Sequence, residues 1–116
     1  MYRFEKLRVY HDALDLTEMV YKFTKRLPAD ERFAMSDQLR RSSTSIVLNI
    51  AEGTGSLGDK EFKQFLRISL KSLYETVAGM KICERLFDLQ SEDILKKCDQ
   101  VGREINSLIK SLKAKD

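Results

Sequence analysis

Proline occurs once in this chain and tryptophan not at all, and three of the five glycines fall within the single segment GTGSLG. So few chain-turning residues leave little room for the many short strands and tight turns of a β-sandwich or barrel. Two cysteines cannot build the disulfide framework of a small secreted domain, and both fall in helical patterns, which fits a reducing, cytoplasmic setting. No apolar run approaches the roughly 18 residues that a membrane-spanning helix needs. The opening MYRFEKLRVYHD is charged throughout and has no apolar centre, so no secretion signal is expected. Neither sign of charge dominates: 21 basic residues face 18 acidic ones, for a net charge of +3. A single copy therefore has a weak overall field, whereas a ring of copies would add its basic faces together.

What is present is helical periodicity. The 116 residues, 42% apolar and 34% charged, suit one helix-rich domain with a real core. The period predicts four helices over about 5–27, 36–56, 59–89 and 91–114. Pro28 stops the first. Ser36, Asp59 and Ser91 are the N-cap candidates of the others, and Glu92 and Asp93 suit the positive end of the last. On helix 1 the expected seam is Tyr10, Leu14, Thr17, Tyr21 and Thr24. On helix 4, Ile94, Cys98, Val101, Ile105, Leu108 and Leu112 alternate by four and three without interruption.

Short connections make sequential helices antiparallel neighbours, and the seams pair off accordingly. Phe87 faces Ile94, Cys83 faces Cys98, Met80 faces Val101 and Leu73 faces Leu108. Between helices 2 and 3, Gly53 faces Phe62, Ile50 faces Phe65 and Ile46 faces Ser69. The expected fold is an all-α, antiparallel up-down-up-down four-helix bundle forming one domain over 1–116. Apolar residues left off the seams are Tyr2, Phe4, Val9, Leu16, Phe23, Val47, Leu48, Ile68, Leu70, Tyr74 and Ile82. With small residues such as Ser42 and Ala51 nearby, that excess points to a subunit interface and a ring-like homo-oligomer.

Two side-chain sets are candidates for function. Lys60, Lys63, Arg67 and Lys71 recur at i, i+3, i+7 and i+11, a basic flank that could track phosphates; the bland reading is a solvated helix face. Arg40, Arg41, Lys22, Lys25 and Arg26 could extend it. Arg41, Ser45, Asn49 and Glu52 share a second, polar stripe on helix 2, as a buried network or a subunit contact. Its structural reading pairs Arg41 or another cation with Glu52. No catalytic set emerges. His11 is the only histidine. Some helical-bundle ribonucleases have four to six residues between an Arg and a His, but only two separate Arg8 from His11, and Arg3 is too far away. Cys83 and Cys98 have no further Cys or His to complete a metal site. GTGSLG lacks the Lys-Ser/Thr ending of a phosphate loop and reads as a turn between helices.

QLRRSSTSIVLNIAEGTG, from Gln38 to Gly55, resembles the signature of the four-helix-bundle family of 23S rRNA intervening-sequence proteins. Phe4, Leu7, Val9 and Tyr10, then VYKFTKRLPADERF from Val20 and EFKQFLRISLKSLYE from Glu61, carry the likeness across nearly the whole chain. The same regions are similar to the accessory variability determinant of diversity-generating retroelements. Both resemblances imply a bacterial up-down bundle assembling into a ring of five subunits, with no enzyme activity and no cofactor. The second adds binding of nucleic acid and of a reverse transcriptase through a basic surface. The chain departs from the family pattern at Ser42, Ser43 and Thr44, where alanine and valine are usual, and at Lys71-Ser72, where Gly-Ser is common.

Two functions compete on these grounds. The first is a non-enzymatic oligomeric bundle binding RNA or a ribonucleoprotein, with Arg40, Lys60, Lys63, Arg67 and Lys71 on phosphates. The second is an oligomeric protein–protein scaffold with no nucleic-acid role, in which the polar stripe and stray apolar residues join subunits.

Overall fold

The computed structural model describes residues 1–112 of the 116. A 3-10 turn over Arg3–Lys6 precedes four helices: α1 (Arg8–Thr24), α2 (Ala34–Thr54), α3 (Asp59–Phe87) and α4 (Glu92–Ser111). No strand occurs among the described residues. The 29 residues of α3, rising about 1.5 Å each, account for the 45 Å long axis of the molecule. Each helix lies against two others: α1 on α2 and α4, and α3 on α2 and α4.

The helix ends follow local rules but depart from the expected boundaries. Leu7 is extended and separates the 3-10 turn from α1, so the first helix begins at Arg8 rather than near position 5. α1 ends at Thr24, ahead of Pro28, through turn hydrogen bonds from the amides of Lys25, Arg26 and Leu27. α2 begins at Ala34, so the expected cap Ser36 sits inside the helix and is buried. Likewise Asp59 is the first residue of α3 and Gly58 is its cap. Ser91 does cap α4, but its hydroxyl donates instead to Glu84 Oε2 at 2.8 Å, tying α3 to α4. The expected end of helix 4 at 114 lies outside the described residues.

α1 corrects the expected seam. Val9, Ala13, Leu16, Val20 and Phe23 are its buried apolar face, continued by Leu27 beyond the helix end; of the expected seam Thr24 is buried, whereas Leu14 and Tyr21 are exposed. The buried stripe is offset by one residue, about 100° around the helix. The wholly aliphatic and aromatic stripe wins because burying it removes more apolar surface from water than a stripe carrying two threonines. Val9, Leu16, Phe23 and Val47 thereby leave the excess that suggested an interface and join the core. Tyr2, Leu48, Ile68, Tyr74 and Ile82 stay exposed.

α2 and α3 approach each other through small residues. A Cβ added at Gly53 would lie 2.8 Å from Phe62 Cδ1, and one at Gly79 would lie 2.7 Å from Leu39 Cδ2. The Ser69 hydroxyl donates to the Ile46 carbonyl at 2.8 Å, so two of the three rungs expected between these helices, Gly53 with Phe62 and Ile46 with Ser69, are contacts. Between α3 and α4 a glycine again sets a close approach. Leu73 also lies against Gly102, with 3.0 Å to a Cβ built there. A glycine leaves a hole that a facing leucine can fill, which a periodic apolar seam does not reveal. Cys83 and Cys98 are both buried, free thiols. Burial pushes the Cys98 thiol up to about 12, and raises Cys83 as well.

Candidate nucleic-acid interface

The basic residues of α3 do not form one stripe. Lys60 and Lys71 are exposed and Arg67 is half-buried, but Lys63 is buried, with only 9% of its surface accessible. Positions 60, 67 and 71 point outward, whereas 63 turns toward the side that α3 shares with α4, because three residues advance a helix by about 300° and not a full turn. Lys63 thus stands apart from a phosphate-tracking flank.

Arg40 also stands apart. Its Nε and Nη2 donate to Thr24 Oγ1 at 3.2 and 3.1 Å, and its guanidinium carbon sits 4.7 Å from the centroid of the Tyr21 ring. Arg40 therefore clasps the end of α1 and belongs to the α1–α2 seam. Of the five residues expected on phosphates, Lys60, Arg67 and Lys71 remain together on the outer part of α3.

The polar stripe of α2 resolves into a hydroxyl ladder against α3. Ser42 and Thr76 share a hydrogen bond at 2.8 Å, and Ser45 and Ser72 share one at 2.7 Å. Asn49 Nδ2 donates to the Ser45 carbonyl at 2.8 Å and to its hydroxyl at 3.1 Å. Arg41 is exposed and pairs with Asp37 at 3.6 Å across one helical turn, not with Glu52, which is itself exposed. Above the ladder, Gln38, Arg41, Ser42, Ser45, Ser72 and Glu75 line an open polar notch of about 270 Å³. Gln38 Nε2 donates to Glu75 across it. Ser42, one of the departures from the family pattern, holds a rung of this ladder, and so does Ser72, the serine of the Lys71-Ser72 pair. Short hydroxyls let the backbones approach while satisfying one another, so burying them costs little.

Two arrangements were not foreseen. Between α1 and α4, Lys97 Nζ lies 3.2 Å from Asp12 and 3.7 Å from Asp15, Gln100 donates to Asp12 at 3.1 Å, and Arg8 reaches Asp12 and Glu104 at 3.6 and 3.5 Å. Burial alone would raise the Asp12 carboxyl, but hydrogen bonds from Glu104 and Lys97 and the charges of Lys97 and Arg8 outweigh it and hold it below 3.8. Glu104 is pushed above 4.5 by burial and by its neighbour Asp12. Sequence spacing pairs charges along one helix and is blind to pairs between the first and last.

The second arrangement surrounds the 3-10 turn. Arg3 lies 5.5 Å over the Phe62 ring and donates to the Thr54 carbonyl at 3.3 Å, so its side chain reaches Phe62 and the end of α2 from a turn that packs on α1 and α2. Tyr2 and Phe4 are stacked, Phe4 leans on Tyr10, and Tyr10 meets His11 edge-on. His11 Nε2 lies 2.7 Å from the Glu5 carbonyl, so the sole histidine pins the turn to α1. The interleaving of basic and aromatic residues in YRFEKLRVYH is the signal that could have found this cluster. Among the described residues, no three or more His, Cys, Asp or Glu side chains gather where they could hold a metal ion.

The architecture defines an all-α, four-helix protein whose long inner seam is built from hydroxyls and glycines. Residues 5–109 match the model of the family described as 23S rRNA-intervening sequence protein, so the chain belongs to that family. It is similar to a crystal structure from Bacteroides thetaiotaomicron VPI-5482, a protein of unknown function from the S23 ribosomal protein family. That likeness has 27% identity and a TM-score of 0.81 and covers 89% of this chain and 99% of that one. Comparison with curated proteins gives no match. No helix among the described residues is long and apolar enough to cross a membrane.

Proposed function

We propose that this protein is a non-enzymatic, cytoplasmic, oligomeric bundle that binds RNA or a ribonucleoprotein through the outer basic flank of α3. Its four helices run up-down-up-down, and the copies close into a ring, of five subunits by the resemblance to the accessory variability determinant. The observation that supports RNA binding is the outward placement of Lys60, Arg67 and Lys71, which a ring would repeat once per subunit. The chain's only histidine is engaged with the turn at Glu5, which favours a binding role over a catalytic one. A reverse transcriptase is the protein partner that the second resemblance implies.

Retention of structured RNA that weakens steeply as salt rises is the expected behaviour, since each neutralised phosphate releases a counterion. The triple variant Lys60→Glu, Arg67→Glu, Lys71→Glu is expected to lose it. Lys63 is left out because a glutamate at that buried position would threaten the fold. Equal retention by the triple variant removes this surface as the site.

The scaffold reading draws on a different observation: Leu48, Ile68, Tyr74 and Ile82 are exposed on α2 and α3. It expects light scattering to show an assembly that Leu48→Asp and Ile68→Asp dissociate, with no retention of RNA at moderate salt.

A further inference from the structure

We propose that the phosphate-binding surface runs the whole length of α3, adding Lys81 and Arg85, and that its ligand is an unpaired strand of RNA lying lengthwise along the helix. The inference rests on the RNA-binding reading above and deepens it from a flank of three cations to a track with two charged ends.

The outward row of α3 advances by four and three through Lys60, Gln64, Arg67, Lys71, Tyr74, Ala78, Lys81 and Arg85, the spacing that keeps positions on one face of a helix. All are exposed except Arg67, which is half-buried. The row holds five cations and no acid. The acids of α3 lie off it. Glu75 accepts from Gln38 of α2, and Glu84 accepts from Ser91 at the start of α4. Asp59 and Glu61 sit in the first turn, where the positive end of the helix favours them. The other helices are charged differently. Lys22 pairs with Glu18 on α1, Arg41 with Asp37 on α2 and Lys96 with Glu92 on α4, each across one turn. That mixing stabilises a solvated helix face. On α3, Arg67 stands one turn from Lys71 and Lys81 one turn from Arg85, like-charged spacings that destabilise an isolated helix. Lys81 also reaches Glu84 at 3.8 Å, to the side of the row. A polyanion laid on the row turns that repulsion into attraction.

Geometry selects the strand. From Lys60 to Arg85 the helix rises about 37 Å, at about 1.5 Å per residue, most of the 45 Å long axis. A stacked strand advances about 3.4 Å per phosphate, so roughly eleven phosphates fit along the row. Tyr74 and Ala78 leave the middle uncharged, with Lys60, Arg67 and Lys71 at one end and Lys81 and Arg85 at the other. A strand lying lengthwise meets both ends. Either strand of a duplex winds away from a straight row within half a helical turn, roughly five base pairs, and meets only one.

The test measures affinity against salt for an oligouridylate of roughly twelve nucleotides, long enough to span the row. Log affinity falls with log salt by about 0.7 for each phosphate of a single strand that the protein neutralises. Lys81→Gln with Arg85→Gln is therefore expected to flatten that slope by about 1.4, and Lys60→Gln with Lys71→Gln by the same amount. Lys96→Gln with Lys110→Gln removes the same charge from exposed positions of α4 and is expected to leave the slope unchanged. A duplex of the same length is expected to be flattened less than the strand by the change at Lys81 and Arg85. An unchanged slope in the Lys81 and Arg85 variant overturns the extension and leaves the three-cation flank standing. Equal flattening by the α4 variant shows that total charge holds the strand, and overturns the track as well. Equal or greater flattening with the duplex overturns the unpaired strand. Failure of the wild type to bind the strand sinks the RNA reading and the track together.

Discussion

Arg40 lies over the ring of Tyr21 and donates twice to Thr24, so a residue that the sequence offers to phosphates is spent on joining α1 to α2. A planar guanidinium can stack and fork at once, which an ammonium cannot. Arg40→Lys is expected to lower stability by about 1 kcal/mol, the combined scale of a partly exposed cation–π contact and a lost hydrogen bond. Chemical denaturation measures the loss, and RNA retention by the same variant should match the wild type. A drop in retention with stability unchanged would return Arg40 to the binding surface.

Gly53 marks how close α2 and α3 lie. An added Cβ would sit 2.9 Å from the Cβ of Phe65 and 2.8 Å from the Phe62 ring. The Phe65 atom is fixed to backbone, so the helices themselves would have to part. Overpacking of this kind costs about 1–3 kcal/mol, against about 1 kcal/mol that alanine regains in helix propensity. Gly53→Ala should therefore lower the thermal midpoint despite being the better helix former. An unchanged or higher midpoint would show that the seam is looser than these distances say.

The α1–α4 charge cluster sets an acid limit. Asp12 is held below its ordinary 3.8, so its contribution is present above that value and is lost as pH falls through the lower folded one. Glu104 is raised above 4.5, so its ionisation works the other way and erodes stability as pH rises through the raised value. Asp12→Asn should destabilise at pH 7 and flatten the acid limb of the stability profile. Glu104→Gln should raise the midpoint at pH 7 relative to its effect near pH 4. Midpoints recorded across that range decide both signs.

Cys98 is 1% exposed and its thiol is pushed up to about 12, so thiolate is scarce and screened at ordinary pH. Alkylation by iodoacetamide at pH 8 should proceed only as fast as the protein opens, and should become rapid in denaturant. Mass spectrometry of the labelled peptide reads it directly. Fast labelling of the native protein would mean that α4 detaches readily.

Much of the fold was legible in the sequence because apolar spacing is a local property of a helix. Four periodic segments, the turn at GTGSLG, and the pairing of Ile46 with Ser69 and Gly53 with Phe62 follow from residue order and short connections. The stripe of α1 was misplaced by one residue because Tyr10, Leu14, Thr17, Tyr21 and Thr24 keep the same period as the true core face. Period alone cannot choose between two faces; only the partners they meet can. The cation set divided for the same reason. Lys60, Lys63, Arg67 and Lys71 are neighbours in a spacing rule, yet the neighbouring helix decides which of them water reaches.

What the chain settles by itself is therefore its segmentation: where it coils, where it turns, and that hydroxyls crowd the middle of α2. What the assembled helices decided is assignment. Packing turned Ser42, Ser45 and Asn49 into a ladder, Arg40 into a clasp, and Lys97 into a bridge between the first and last helices. A helix writes its own surface by rotation and rise, but whether a side chain is core, seam or free surface depends on a second helix, which residue spacing along the first does not encode.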